Sequence, residues 1–143
     1  MTTATKREAQ ARARPAWIVV ADDDEDMRQL VAHSLRREGY DVQEVSNGSE
    51  LLVRIEDSLV FKRKPDPVDL FITDVQMPGY SGLEIVTGLR EAGMHMPVII
   101  MTAFEASETR ARAEALGAAF LPKPFDADQL CALVRHVLAQ KVS

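Results

Sequence analysis

The sequence predicts an α/β fold: a doubly wound, five-stranded parallel sheet in the order 2-1-3-4-5. Three observations predict it. Apolar runs that read as strands alternate five times with segments of helical spacing. Several of these runs are apolar without alternation, as strands covered on both faces require. The second run, Asp41 to Val45, is the most polar, which suits a sheet edge and selects that strand order.

Each element follows from local signals. Trp17-Ile18-Val19-Val20-Ala21 reads as a strand buried on both faces. Met27, Leu30, Val31 and Leu35 recur at helical spacing, and Gly39 stops that helix. Leu51, Leu52, Ile55 and Leu59 mark a second helix. Two prolines make 61–67 a loop. Val68 to Thr73 is the third strand, Leu83 to Arg90 the third helix and Pro97 to Thr102 the fourth strand. Glu105 to Leu116 is a helix closed by Gly117, and Ala118 to Leu121 is a short fifth strand. Asp126 caps a last helix reaching about Gln140.

At 143 residues the chain has room for one domain. The division read from the sequence is a disordered basic tail over 1–15, a domain over 16–140 and a short tail over 141–143. Net charge is −5. The first fifteen residues hold Lys6, Arg7, Arg12 and Arg14 against Glu8, so the body is acidic. That body argues against a phosphate-backbone footprint, so no direct nucleic-acid partner is expected. The basic start has no apolar signal segment, and its composition fits a solvated tail better than a transit peptide. The longest uncharged apolar run, Ala16 to Ala21, is far too short to span a bilayer, so no membrane partner is expected. The single cysteine, Cys131, cannot pair internally and favours a reducing cytoplasm.

In such sheets ligands bind beyond the carboxyl ends of the strands, where the strand order reverses. Polar residues with coherent chemistry stand at those ends. Strand one runs into Asp22-Asp23-Asp24, strand three into Asp74, strand four ends in Thr102, and strand five is followed by Lys123. Two carboxylates at about 4 Å repel by on the order of 4 kcal/mol at an effective dielectric of 20, so a cation must offset them. Lys123 supplies one charge, and Mg2+ (or Mn2+) suits carboxylate oxygens, waters and a phosphate oxygen. A plainer reading makes Asp24, Glu25 and Asp26 an acidic helix start that complements the helix dipole. It fits Asp22 and Asp23 poorly, since the sheet rule puts them at the crevice. His33, His95 and His136 read as surface histidines, and Cys131 and Met101 as packing residues. The Lys62-Arg63-Lys64 run reads as solvated, with partner contact as the other use.

Val19-Val20-Ala21-Asp22-Asp23-Asp24, Ile72-Thr73-Asp74-Val75-Gln76-Met77-Pro78, Ile100-Met101-Thr102-Ala103 and Leu121-Pro122-Lys123-Pro124-Phe125 together resemble the receiver domain of bacterial two-component response regulators, which has a flavodoxin-like fold. The resemblance covers about residues 16–140, and Lys123-Pro124-Phe125-Asp126 is most similar to the NtrC-like and FixJ-like groups. It implies that Asp74 is the phosphoacceptor, served by a histidine kinase or a phosphotransfer protein. It implies that Asp22, Asp23, Asp74 and the backbone carbonyl of Gln76 hold Mg2+. Thr102 and Lys123 then engage the phosphoryl group, and Phe120 acts as an aromatic rotamer switch. Gln76 and Phe104 match positions that tune phosphoryl lifetime, and the bulk of Phe104 leads us to expect slow self-dephosphorylation.

The implied function is a signalling switch rather than a turnover enzyme. Its readout face is expected over residues 105–138, toward a protein partner, a fused effector domain or a second copy, with Arg110, Arg112 and Arg135 making charged contacts. Two alternatives remain at this stage. One is a degenerate receiver that would serve only as a docking module, in which Phe120 keeps its plain reading of core packing at an edge strand. A haloacid-dehalogenase-type phosphatase matches Asp22-x-Asp24, but it needs a further acidic pair after the lysine, and here only Asp126 and Asp128 follow, at a helix start.

Overall fold

The first strand, β1 (Trp17–Ala21), explains the rest of the architecture, because its side chains have no solvated face. Ile18 and Val20 point to one side and Val19 and Ala21 to the other, and all four are fully buried. Such a strand must lie inside a sheet covered by helices on both faces. The computed structural model describes residues 15–56, 68–103 and 107–142 and places it there. The other strands are β2 (Asp41–Val45), β3 (Leu70–Asp74), β4 (Val98–Thr102) and β5 (Ala119–Pro122), all parallel, in the order β2-β1-β3-β4-β5. This is the expected order, with the polar strand at one edge.

Among the described residues four helices connect successive strands, α1 (Glu25–Arg37), α2 (Gly48–Glu56), α3 (Gly82–Glu91) and α4 (Ser107–Ala115), and α5 (Ala127–Val142) follows β5. Val31, Ala32 and Leu35 of α1, with Leu130, Cys131, Val134 and Val137 of α5, cover the face that carries Ile18, Ile72, Ile99 and Met101. Leu51 and Ile55 of α2, with Leu83, Ile85, Val86 and Leu89 of α3, cover the opposite face around Val19, Phe71 and Ile100. Each fully buried aliphatic side chain stabilises the fold by about 1.5–3 kcal/mol relative to exposure. The helix α4 contributes only Ala113 among its buried residues and is otherwise polar all round.

Most boundaries move by one or two residues from those read in the sequence. At its start β3 is shorter, because Asp69 leaves the strand: its carboxylate accepts the Trp17 N–H at 2.7 Å while its own N–H donates to Trp17 O at 2.8 Å. Pro97 has no N–H for a ladder, so β4 begins one residue later; its carbonyl still accepts from Phe71 N–H. The first helix ends where Gly39 takes φ +95°, as expected of a left-handed stop. Asp126 caps α5 reciprocally: its carboxylate accepts from Gln129 N–H at 2.8 Å while the Gln129 amide oxygen accepts from Asp126 N–H at 2.9 Å. That helix runs to Val142, two residues past Gln140. Leu59, the 61–67 loop with Lys62-Arg63-Lys64, residues 1–14 of the basic start, and Phe104 lie outside the described residues.

Candidate functional site

Parallel strands deliver their carboxyl ends to one edge of the sheet, so residues far apart in sequence meet there. Asp22 follows β1, and its N–H donates to Val45 O at 3.2 Å, which extends the β1–β2 ladder one residue beyond the strand. Its carboxylate is therefore fixed by sheet geometry and is fully buried. One oxygen, Oδ1, accepts from the Asp24 N–H at 3.0 Å. The other, Oδ2, accepts from Lys123 Nζ at 3.1 Å. Asp23 stays exposed beside it. Asp24 is the N-cap of α1 and accepts the Met27 N–H at 3.2 Å, which places it at the acidic helix start expected of it.

Asp74 ends β3, and Val75 N–H donates to Met101 O at 2.9 Å, carrying the pairing past it. Its Oδ1 lies 3.4 Å from Lys123 Nζ, so the ammonium bridges two carboxylates that are 52 residues apart in the chain. Behind Asp74 the start of α3 packs very closely. A Cβ on Gly82 would sit 2.5 Å from the Asp74 carbonyl oxygen, so only glycine fits there. A capping box between Ser81 and Glu84 fixes the same helix start.

The electrostatics follow from burial and proximity. Burial raises the Asp74 carboxyl above the usual carboxylate range; Lys123 pulls it down, and Asp22 pushes it up again. Burial alone would lower the Lys123 ammonium. Its hydrogen bond to Asp22 and the charges of Asp74 and Asp22 outweigh that, and hold it above the ordinary lysine value. A half-open cleft of about 540 Å³ lies over these groups, lined by Asp22, Asp23, Asp24, Asp74, Gln76, Met77, Pro78 and Lys123. Within it, carboxylate oxygens of Asp22, Asp23 and Asp74 come within 4.8 Å of one another. An all-oxygen set of three carboxylates fits a hard divalent cation such as Mg2+ or Mn2+.

The other sequence candidates divide. Gln76 lines the cleft. Thr102 ends β4 almost wholly buried, and its carbonyl accepts the Lys123 N–H at 2.7 Å, which ties the lysine's backbone to β4. Phe120 is half-buried against the α2–α3 side of the sheet, with the Arg110 guanidinium 5.7 Å from its ring centroid. Arg135, expected on the readout face, pairs with Glu38 of the α1 end at 2.7 Å. The three histidines are exposed and Cys131 is buried. One contact was not read from the sequence: Arg28 of α1 donates to the Asp22 carbonyl at 2.9 Å. A bond to a backbone carbonyl leaves no residue pattern to find.

The family described as "Response regulator receiver domain" matches residues 18–135. The response regulator MprA of Mycobacterium sp. (strain KMS) is 36% identical over 125 residues, covering 87% of this chain and 51% of that protein. The DNA-binding transcriptional regulator NtrC of Rhizobium meliloti (strain 1021) is 34% identical, over 87% of this chain and 24% of its own length. The chain thus spans about half the length of the first of these relatives and a quarter of the second. Among solved structures, the receiver domain of the Francisella response regulator 1452 superposes with a TM-score of 0.76 at 25% identity, covering 88% of this chain and 98% of that one. The Vibrio cholerae chemotaxis protein CheY4 gives 0.72 at 29% identity, covering 86% and 98%. Two of these four are named response regulators and the others a transcriptional regulator and a chemotaxis protein, so the phosphatase alternative finds no support among them. A parallel sheet that gathers an aspartate triad and a lysine at one edge, and a family match running from β1 into α5, lead to one conclusion: the chain belongs to the response regulator receiver domain family of two-component signalling.

Proposed function

We propose that this domain is a phosphorylation-controlled switch whose phosphoacceptor is Asp74. One observation carries the reading. A half-buried carboxylate at the end of β3 sits within reach of two further carboxylates and an ammonium, in a cleft open to a donor. Asp74 Oδ attacks the phosphorus of a phosphohistidine on a histidine kinase or phosphotransfer protein. The P–N bond breaks, its electron pair stays with the imidazole, and an acyl phosphate remains on Asp74. Such transfer needs positioning and charge neutralisation more than covalent help. Asp22, Asp23, Asp74 and the Gln76 carbonyl would hold Mg2+ or Mn2+, which when bound would supply positive charge to offset that of the phosphoryl group.

Lys123, already tied to Asp74, pairs with the new phosphoryl charge of about −1.5 to −2. The Thr102 hydroxyl turns toward the new acceptor, and Phe120 follows into the space released. The last two helices and β5, over residues 105–138, carry the change to an effector domain, a protein partner or a second copy. The domain acts in the cytoplasm, and it assists its own dephosphorylation rather than turning over substrate. No described helix is long and apolar enough to cross a membrane.

Intact-mass spectrometry after treatment with acetyl phosphate and Mg2+ tests this. Wild type should gain one phosphoryl group, and Asp74→Asn should gain none. Equal labelling of both removes Asp74 from the role, and no labelling of wild type, with beryllofluoride also failing to bind, leaves a docking module.

A further inference from the structure

The buried ligand candidate Asp22 is held from below as well as from the cleft. Its carbonyl oxygen accepts from Arg28, which is not among the residues lining the cleft, at 2.9 Å. The same guanidinium donates through Nε to Glu44 of β2 at 3.3 Å. Glu44 is itself pinned, since its second oxygen accepts from Arg36 at 3.0 Å. Arg36 closes the set by donating to the Val42 carbonyl at 2.9 Å. Two arginines two helical turns apart on α1 therefore clasp one carboxylate of the edge strand. The inner one, whose side chain is only 14% exposed, reaches on to the backbone of Asp22. A planar fork suits this double duty; an ammonium is a single point donor.

We propose that Arg28, braced by Glu44, is a positioning residue that sets divalent-cation affinity by fixing the turn bearing Asp22 and Asp23. It touches neither the cleft nor the reacting atoms. The inference rests on the proposal that this cleft binds Mg2+. Partners behind metal ligands typically govern affinity by 10- to 100-fold. Arg28 acts here through the main chain: with its carbonyl released, the peptide between Asp22 and Asp23 loses one of the bonds that hold it, and the spacing of the carboxylate pair relaxes.

The sign of the effect separates positioning from charge. Removing a positive charge near an acidic site, with geometry unchanged, tightens cation binding. Loss of positioning weakens it. Mg2+ alone is titrated into metal-free wild type, Arg28→Met and Arg28→Lys, with backbone amide shifts of 23 and 24 followed by NMR. The same proteins are then phosphorylated with acetyl phosphate across a Mg2+ series. Arg28→Met should raise the apparent Mg2+ Kd about 10-fold. Its phosphorylation rate at saturating Mg2+ should stay within about twofold of wild type, and Arg28→Lys, which keeps the charge but not the fork, should fall between the two.

An unchanged or lowered Kd in Arg28→Met overturns the inference. So does a lost saturating rate with an unchanged Kd, which marks a merely structural residue. If Arg28→Met does not fold, Arg28→Lys decides alone: a Kd equal to wild type overturns the proposal, and a raised one supports it. Wild type that shows no Mg2+-dependent shift at all would instead sink the reading of the cleft, and the two failures are thus distinguishable.

Discussion

Lys123 Nζ stands 3.1 Å from Asp22 and 3.4 Å from Asp74, and one ammonium cannot fully neutralise two buried or half-buried carboxylates plus the neighbouring Asp23. The residual cost falls on Asp74, whose carboxyl is raised by burial first and by Asp22 besides. A carboxyl raised in the folded state binds its proton more tightly there than in the unfolded chain. Its contribution is complete below the ordinary carboxylate pKa, and is lost as pH rises through the raised folded value. In metal-free protein at neutral pH, Asp74 therefore burdens the fold that it serves. Asp74→Asn should be more stable than wild type at neutral pH by about 1 kcal/mol, the scale of one screened charge interaction. In a thermal melt this is a rise of about 2–4 °C. The gap should close as the buffer is taken down to the ordinary carboxylate pKa. A gap that is absent, or constant with pH, would contradict the electrostatic account.

The element that most tightly constrains the phosphoacceptor candidate is the start of α3. Two glycines in that helix make opposite demands. Gly82 lies against the Asp74 carbonyl, where an added Cβ would have to come within 2.5 Å of backbone oxygen. Gly88 is exposed in the same helix, with no atom within 4 Å of a built Cβ. Gly82→Ala should destabilise by about 1–3 kcal/mol through overpacking, and should slow phosphorylation by shifting Asp74. Gly88→Ala should stabilise by roughly 0.5–1 kcal/mol, since alanine loses less backbone entropy in a helix. Denaturant melts of both variants check this, and a Gly82→Ala protein as stable as wild type would show that α3 yields at that point. The proposed readout face has a different character. Polar α4 packs through Ala113, while Arg110 covers Phe120 from outside, so little burial opposes movement of that helix.

At the scale of the whole molecule, the sheet divides the interior into two apolar layers, and central strands serve both. Ile72 and Ile99 face the α1–α5 layer, and Phe71 and Ile100 the α2–α3 layer. Ile72→Ala deletes a fully buried side chain and should cost about 2–5 kcal/mol. Leu30→Ala, at a position 49% exposed, should change stability by no more than about 0.5 kcal/mol. Guanidinium unfolding midpoints for the pair measure the contrast, and similar midpoints would deny β3 its central place. Because all strands run parallel, the same packing that stabilises the molecule also brings Asp22, Asp74 and Lys123 to one edge.

The alternation of strand and helix, the strand order, and the identity of Asp22, Asp23, Asp74, Gln76 and Lys123 as cleft residues were all legible in the sequence. Strand hydrophobicity and residues at strand ends are local patterns, and the sheet rule converts them into position; Gln76 came instead from the resemblance of its motif to the receiver family. Only the tertiary structure decided that Asp22 is buried while Asp23 is exposed, that Arg135 turns to Glu38, and that Arg28 and Glu44 brace Asp22 from behind. These are long-range contacts, several of them made to backbone atoms. Every residue carries a carbonyl, so the partner of Arg28 is chosen by where the folded chain puts that oxygen and not by which side chain stands there.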